Sequence, residues 1–289
     1  MLKWTPRMRK TVNTGHESPH PVPAAKLRPQ PSLGGAMPLL LGSFIPIVFL
    51  LLGILGGFVH PLGTLCGMLM IGWVLAGYGR LPGQLWWWGS LICCAALAAH
   101  LLPGFTPWQA WAPRHVSSDG PVFILNLSWD KALVAITLAV WWWHQPRPAP
   151  WLNADKVWVI SVATIALMPL LALSLGLVTV RFKWPEQIWL WLLINFGVSV
   201  LAEELLFRAW LQRSLVKRFG AATGVGATAL LFGLTHLPLG GSFVLVATLA
   251  GLGYGLVFLI SGRLRTALAL HAAVNLIHLL CLSYPLRLA

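Results

Sequence analysis

The chain has 289 residues, of which 57% are hydrophobic and only 9% charged, with a mean hydropathy of +0.76. A soluble fold cannot hide that much apolar surface. Several uncharged runs near the ~20 residues that cross a bilayer predict an all-α, polytopic transmembrane helix bundle. The net charge of +13 does not point to nucleic acid: six of the twenty Lys and Arg lie in the first 28 residues, and most others flank apolar runs, as topology determinants do.

Residues 1–36 are basic, rich in Pro and without an apolar stretch, which predicts a disordered cytoplasmic tail. Its His16 and His20 have i,i+4 spacing, but a Pro-flanked disordered segment makes a metal site there a poor reading. The run 37–59 is long enough to span and lacks an obvious cleavage site, so it reads as a retained anchor. Apolar segments follow at 62–78, 85–102, 122–143, 157–180, 188–207, 221–239, 243–260 and 266–283. Only His60-Pro61 separates the first two segments, so they count as one broken element or as two, giving eight or nine spans.

Asp130 and Lys131 interrupt the segment 122–143, and residues 103–121 form the longest internal loop. Triplets at Trp86–Trp88 and Trp141–Trp143 suit an aromatic belt at headgroup level. Cys66, Cys93, Cys94 and Cys281 all lie in apolar runs with no CxxC pair and read as packing residues. With nine spans and a cytoplasmic amino terminus, fifteen Lys and Arg fall on the cytoplasmic side and four on the other, with Lys131 unassigned. That positive-inside bias places 208–220 in the cytoplasm and 103–121 outside. Residues 37–185 then form an amino-terminal transmembrane bundle, and 186–289 a core that carries the polar motifs.

Only seven acids occur in the chain, and Glu203 and Glu204 stand together after an uncharged apolar run. An ionisable residue in a membrane segment is a functional-site hypothesis, because its burial is costly unless it is paired or used. At helical spacing Asn195, Ser199 and Glu203 share one face, and Glu204, Arg208 and Gln212 the neighbouring one. Glu204 and Arg208 have the geometry of an i,i+4 ion pair, which leaves Glu203 free to act. Phe232 and His236 share a face in the next segment, as do His271, Asn275 and His278 in the last. If 188–218 is one helix turning near Phe219-Gly220, Glu203 and His236 each lie about 16 residues, or roughly 24 Å, from that turn and stand level. The same arithmetic leaves His271 short of that depth, unless the turn near 262–265 dips into the membrane or a helix is shorter or more tilted.

A carboxylate of raised basicity can act as general base on water. A neighbouring His can hold that water or protonate the leaving amine, and a second His with an Asn can donate to an oxyanion. The same Glu203, His236 and His271 also make a His₂Glu zinc set, although no HExxH occurs. A single membrane His is more often a packing or hydrogen-bonding residue, and His278, Asn195 and Ser199 are assigned to that class.

The order Glu203-Glu204-Leu-Leu-Phe-Arg208, Phe232-Gly-Leu-Thr-His236 and His271-Ala-Ala-Val-Asn275 resembles the EExxxR, FxxxH and HxxxN signature of the CAAX-protease and bacteriocin-processing (CPBP) intramembrane proteases. The resemblance covers about residues 188–283; the amino-terminal half carries no motif. It implies an endopeptidase acting on a membrane-anchored or lipidated peptide or protein. Glu203 and His236 would activate water, His271 and Asn275 would stabilise the oxyanion, and Glu204 and Arg208 would support the site. Metal-free glutamate chemistry is favoured, and zinc held by Glu203, His236 and His271 stays open. Short loops favour a bacterial inner-membrane protein. The competing readings are a non-catalytic bacteriocin-immunity or scaffold protein, and a proton-coupled transporter, for which the first half offers no matching acidic or His set.

Overall fold

The computed structural model describes residues 42–146 and 153–288. The tail 1–36, with His16 and His20, lies outside them. The chain is mostly helical with few strands. Among the described residues the helices are α1 (Phe44–Leu55), α2 (Pro61–Ala76), α3 (Gly83–Ala98), α4 (Trp129–Trp143), α5 (Ala154–Ser174), α6 (Ile188–Phe219), α7 (Ala221–Leu234), α8 (Gly241–Ser261) and α9 (Leu264–Cys281).

Each falls within or close to a predicted segment, but only α5, α6, α8 and α9 are long and apolar enough to cross a membrane. The expected eight or nine spans are therefore not confirmed. Helix α1 has 12 residues, about 18 Å at 1.5 Å per residue, against a hydrocarbon core of about 30 Å. Between α1 and α2 the chain turns at Gly57 in the left-handed region (φ 77°), and Pro61 opens α2 at a position where its missing N–H costs nothing. Segment 122–143 is helical only from Trp129. Its first part instead forms strands β3 (Val122–Phe123) and β4 (Asn126–Leu127), which pair antiparallel with β2 (Arg114–His115) and β1 (Trp108–Gln109), respectively.

This small β-layer caps one end of the bundle. Trp111 and Leu125 pack with Trp191 and Ile194 of α6 and Leu279 of α9 in one apolar cluster. The cap is tied to the carboxy-terminal segment through Asp119, which accepts from Thr179 Oγ1 (2.5 Å) and Ser283 Oγ (2.7 Å) and pairs with Arg181 Nε at 3.4 Å. The Thr179 and Ser283 hydroxyls hold the Asp119 carboxyl well below the usual carboxylate range. Tyr284 accepts from Trp191 Nε1 at 2.9 Å, and burial pushes its phenol up to about 12.

Helix α6 is the centre of the bundle: 56% of its apolar window is buried, against 17% for α5, which turns most of its surface outward. Leu133, Val134 and Leu138 of α4 belong to the same apolar core as Leu205 and Trp210 of α6, Met168 of α5 and Tyr254 of α8. The tryptophan triplets do not lie wholly in a belt. Trp86 and Trp141 are buried and meet Trp210 at ring separations of 4.7 and 4.4 Å, while Trp88 and Trp143 are exposed. Successive helical residues are about 100° apart, so three in a row cannot all face one environment.

Candidate active site

Helix α6 carries the central acids in an unusual backbone. Residues Asn195–Val200 and Leu205–Gln212 are π-helical, and the single α-turn between them, Leu201–Glu204, holds both glutamates. Such widened turns are frequent where a helix presents functional groups. The predicted Glu204–Arg208 pair is present, with Arg208 Nε 3.2 Å from Glu204 Oε2 and both side chains fully buried. Gln212, one turn on, donates to Gly255 O of α8 at 2.8 Å.

Glu203 is not free, contrary to expectation. Lys131 at the start of α4 donates its Nζ–H to Glu203 Oε1 at 2.7 Å, with side chains 18% and 21% exposed. The polar residues that interrupt the fourth apolar segment thus do not mark a loop: Lys131 turns inward to the second acid. Arg208, counted among the cytoplasmic topology cations, is fully buried beside the first.

His271 reaches both glutamates. Its Nδ1 lies 2.9 Å from Glu204 Oε1 and its Nε2 lies 3.9 Å from Glu203 Oε2. The turn between α8 and α9 lies beside the glutamate-bearing stretch of α6: Gly262, Arg263 and Arg265 line one cavity with Leu201 and Leu205. An aromatic frame fixes the ring. Tyr254 of α8 stacks on His271 at 4.5 Å and 17°, and Phe232 of α7 meets it edge-on at 5.7 Å. The Arg208 guanidinium lies over Phe232 (5.1 Å) and Tyr254 (5.8 Å).

His236 follows the end of α7, with Nδ1 2.9 Å from Phe232 O and its ring 4.9 Å from the Phe232 ring. No hydrogen bond joins it to Glu203; Phe232 is what the two histidines share. Close packing holds this corner, since a Cβ on Gly233 would run into Thr248 Oγ1 of α8. Asn275, one turn beyond His271, donates from Nδ2 to Asn195 Oδ1 at 3.1 Å. His278 Nε2 donates to Ser283 O at 3.1 Å, in keeping with its structural assignment. His236, Tyr254, His271, Asn275 and His278 line one side of a cavity of about 90 Å³, whose other wall is apolar and includes Met168 of α5 and Phe243 of α8. That volume is several times what one water requires. Glu203 does not line it and joins it through His271.

The chemistry follows from the partners. Glu204, ion-paired with Arg208, accepts, so the His271 Nδ1 carries a hydrogen; in the neutral ring Nε2 then presents a lone pair beside Glu203 Oε2. The separation of 3.9 Å is too long for a direct hydrogen bond; a water set to one side of the two atoms can donate to both. In that tautomer His271 accepts rather than donates, which suits holding a water better than stabilising an oxyanion. Asn275 keeps a second amide hydrogen for that task. For the alternative zinc set, the Lys131 ammonium on Glu203 competes with a cation, whereas the His271 Nδ1–Glu204 bond leaves Nε2 as open to a metal as to water; among the described residues no group of three or more His, Cys, Asp or Glu is arranged to hold a metal ion.

Comparison with known families places this geometry in context. Residues 183–277 match the family model described as type II CAAX prenyl endopeptidase Rce1-like. The chain carries an Rce1-like region. It takes in α6 to α9 nearly to their end, and with them all three motifs, and it supports an intramembrane endopeptidase of the CAAX-protease type. The apolar helices and the Rce1-like match together point to an integral membrane protein. Neither the curated proteins nor the solved structures gave a match. Lys131 lies outside the Rce1-like region, and no motif announced it. The only sequence signal for it was a cation in an apolar segment.

Proposed function

We propose that this protein hydrolyses a peptide bond of a membrane-anchored or lipidated substrate, with a water activated by Glu203. The observation that carries the reading is His271 bridging the two glutamates, bonded to Glu204 and facing Glu203 at 3.9 Å beside the His236–Asn275 cavity. Glu203 takes a proton from the water, and the hydroxide oxygen adds to the scissile carbonyl carbon. Asn275 Nδ2–H donates to the resulting oxyanion, held in aim by Asn195. Collapse breaks the C–N bond, and the amine leaves with a proton from His236 or from Glu203. The proposed reaction is metal-free, which the Lys131 ammonium on Glu203 favours, since it competes with a divalent cation for that carboxylate. Prenylated proteins are the substrates of the family named by the match; here a lipid-anchored peptide is the proposed class. The proposed setting is a bacterial inner membrane with a cytoplasmic amino terminus.

The test uses the full chain in proteoliposomes with a degenerate library of fluorogenic peptides anchored by a farnesyl or palmitoyl group. Wild type is expected to cleave, and Glu203→Ala and His236→Ala to lose cleavage. Undiminished cleavage in both variants, or an inert wild type, overturns the reading.

A further inference from the structure

The amino-terminal half carries no motif and lies outside the Rce1-like region, yet it places one charged atom inside the site. We propose that Lys131 is a positioning residue for Glu203, contributed by α4 across the boundary of the matched region. The inference rests on Glu203 being the general base.

Helix α4 is uncharged beyond its first turn, with Ala132, Leu133, Val134 and Ala135 all buried directly after Lys131. A lysine there needs a carboxylate to offset its desolvation. The adjacent Asp130 is the nearest acid in sequence, but it is committed elsewhere. Its Oδ2 lies 2.8 Å from His100 Nδ1 and its Oδ1 accepts the Lys131 backbone N–H at 2.8 Å. Asp130 thus pins the start of α4, while the Lys131 side chain extends to Glu203 on α6.

The contact is one-sided, and that is its significance. Lys131 Nζ bonds Glu203 Oε1, and the other oxygen, Oε2, is the one left 3.9 Å from His271 Nε2. A carboxylate can turn about its terminal torsion over a broad range, and one held by neither oxygen has no fixed aim. With Oε1 tethered by a charge-assisted bond, Oε2 is directed to the gap beside His271. The charges also pair off, Glu203 with Lys131 and Glu204 with Arg208, so each acid has a cation of its own. Neutralisation alone would be satisfied by a cation on either oxygen; the observed contact leaves free the oxygen the chemistry requires.

The experiment measures steady-state cleavage of the best-cleaved library peptide by Lys131→Met, Lys131→Gln and Lys131→Arg proteins, with Glu203→Gln alongside and melting temperatures recorded in detergent. Lys131→Met and Lys131→Gln are expected to lose on the order of 10- to 100-fold in kcat with little change in KM, as for a misaimed base. Lys131→Arg, which can still donate to Oε1, is expected to recover most of that loss. Wild-type kcat in a folded Lys131→Met or Lys131→Gln protein, while Glu203→Gln is inactive, overturns this inference and leaves the proposed function standing. A kcat loss that only tracks a lowered melting temperature, with no recovery in Lys131→Arg, overturns it as well. An active Glu203→Gln instead removes the reading on which it rests.

Discussion

Glu204→Gln and Glu203→Gln are isosteric changes at neighbouring positions, and the structure predicts opposite consequences for them. Glu204 is fully buried, and its ion-pair partner Arg208 is too, with Nε, Nη1 and Nη2 making no hydrogen bond. Neutralising Glu204 strands a buried guanidinium and leaves His271 and Arg208 to compete for one neutral amide oxygen. Breaking one partner of a buried pair costs about 3–5 kcal/mol. At about 2–4 °C per kcal/mol for a chain of this general size, the melting temperature should fall by roughly 10 °C. The Glu203–Lys131 pair keeps about a fifth of each side chain exposed and is less completely desolvated. Its loss is expected to cost less than that of the Glu204–Arg208 pair. Tryptophan fluorescence during heating in detergent micelles, set beside peptide cleavage, separates the two. Glu204→Gln should be strongly destabilised, and Glu203→Gln should melt near wild type and cleave nothing. A Glu204→Gln protein that melts within about 2 °C of wild type would refute the assignment of Glu204 as the structural member of the pair.

Removing the proposed oxyanion donor in Asn275→Ala should lower kcat by about 10²–10³-fold, as for other single oxyanion donors. Asn195→Ala, which only aims Asn275, should cost less; equal losses would contradict that order. Gly233→Val should overpack the α7–α8 contact by about 1–3 kcal/mol and depress cleavage through displaced Phe232 and His236, read from paired melting and activity measurements. Chelation with EDTA should leave cleavage unchanged, and loss restored by added zinc would replace the metal-free scheme. Asp119 has a folded-state pKa below its unfolded value, so its contribution is full above about pH 4 and fades as pH falls below that. Limited proteolysis of the cap should therefore accelerate on acidification from pH 5 to 3. Asp119→Asn should be cut readily at neutral pH and change little across that window.

Local sequence made the helices and the Glu204–Arg208 pair legible because both depend on residues within one turn of each other. Pro61 opening α2, and the apolar runs of α5 to α9, carry their signal in short range. Helix lengths were less legible. Hydropathy counts apolar residues and cannot tell a span from a short helix continued by apolar strands, as in 122–143, where Val122–Phe123 and Asn126–Leu127 pair within the cap. The tryptophan triplets failed for a related reason: composition suggests a membrane belt, but burial of Trp86 and Trp141 against Trp210 depends on which faces the tertiary packing brings together.

The site was half legible for the same physical reason. Motif spacing singled out residues on α6, on α9 and at and just beyond the end of α7, and uniform-helix arithmetic missed that His271 reaches both glutamates. Glu203 was read as free because its counter-ion is 72 residues away on another helix. Pairing at that range leaves no periodicity to find. What it does leave is an unexplained cost: Lys131 stood in an apolar segment with no local carboxylate free to offset it. A cation in an apolar segment without a local partner implies a distant one, and with Asp130 bound to His100 the other acids of the membrane segments are Glu203 and Glu204. Glu204 was already matched by Arg208, so Glu203 was the remaining choice. The charge balance of the buried acids therefore held more information about the site than their spacing did. It also gives the amino-terminal half, otherwise silent, a definite part: α4 supplies the cation that holds Glu203 Oε1.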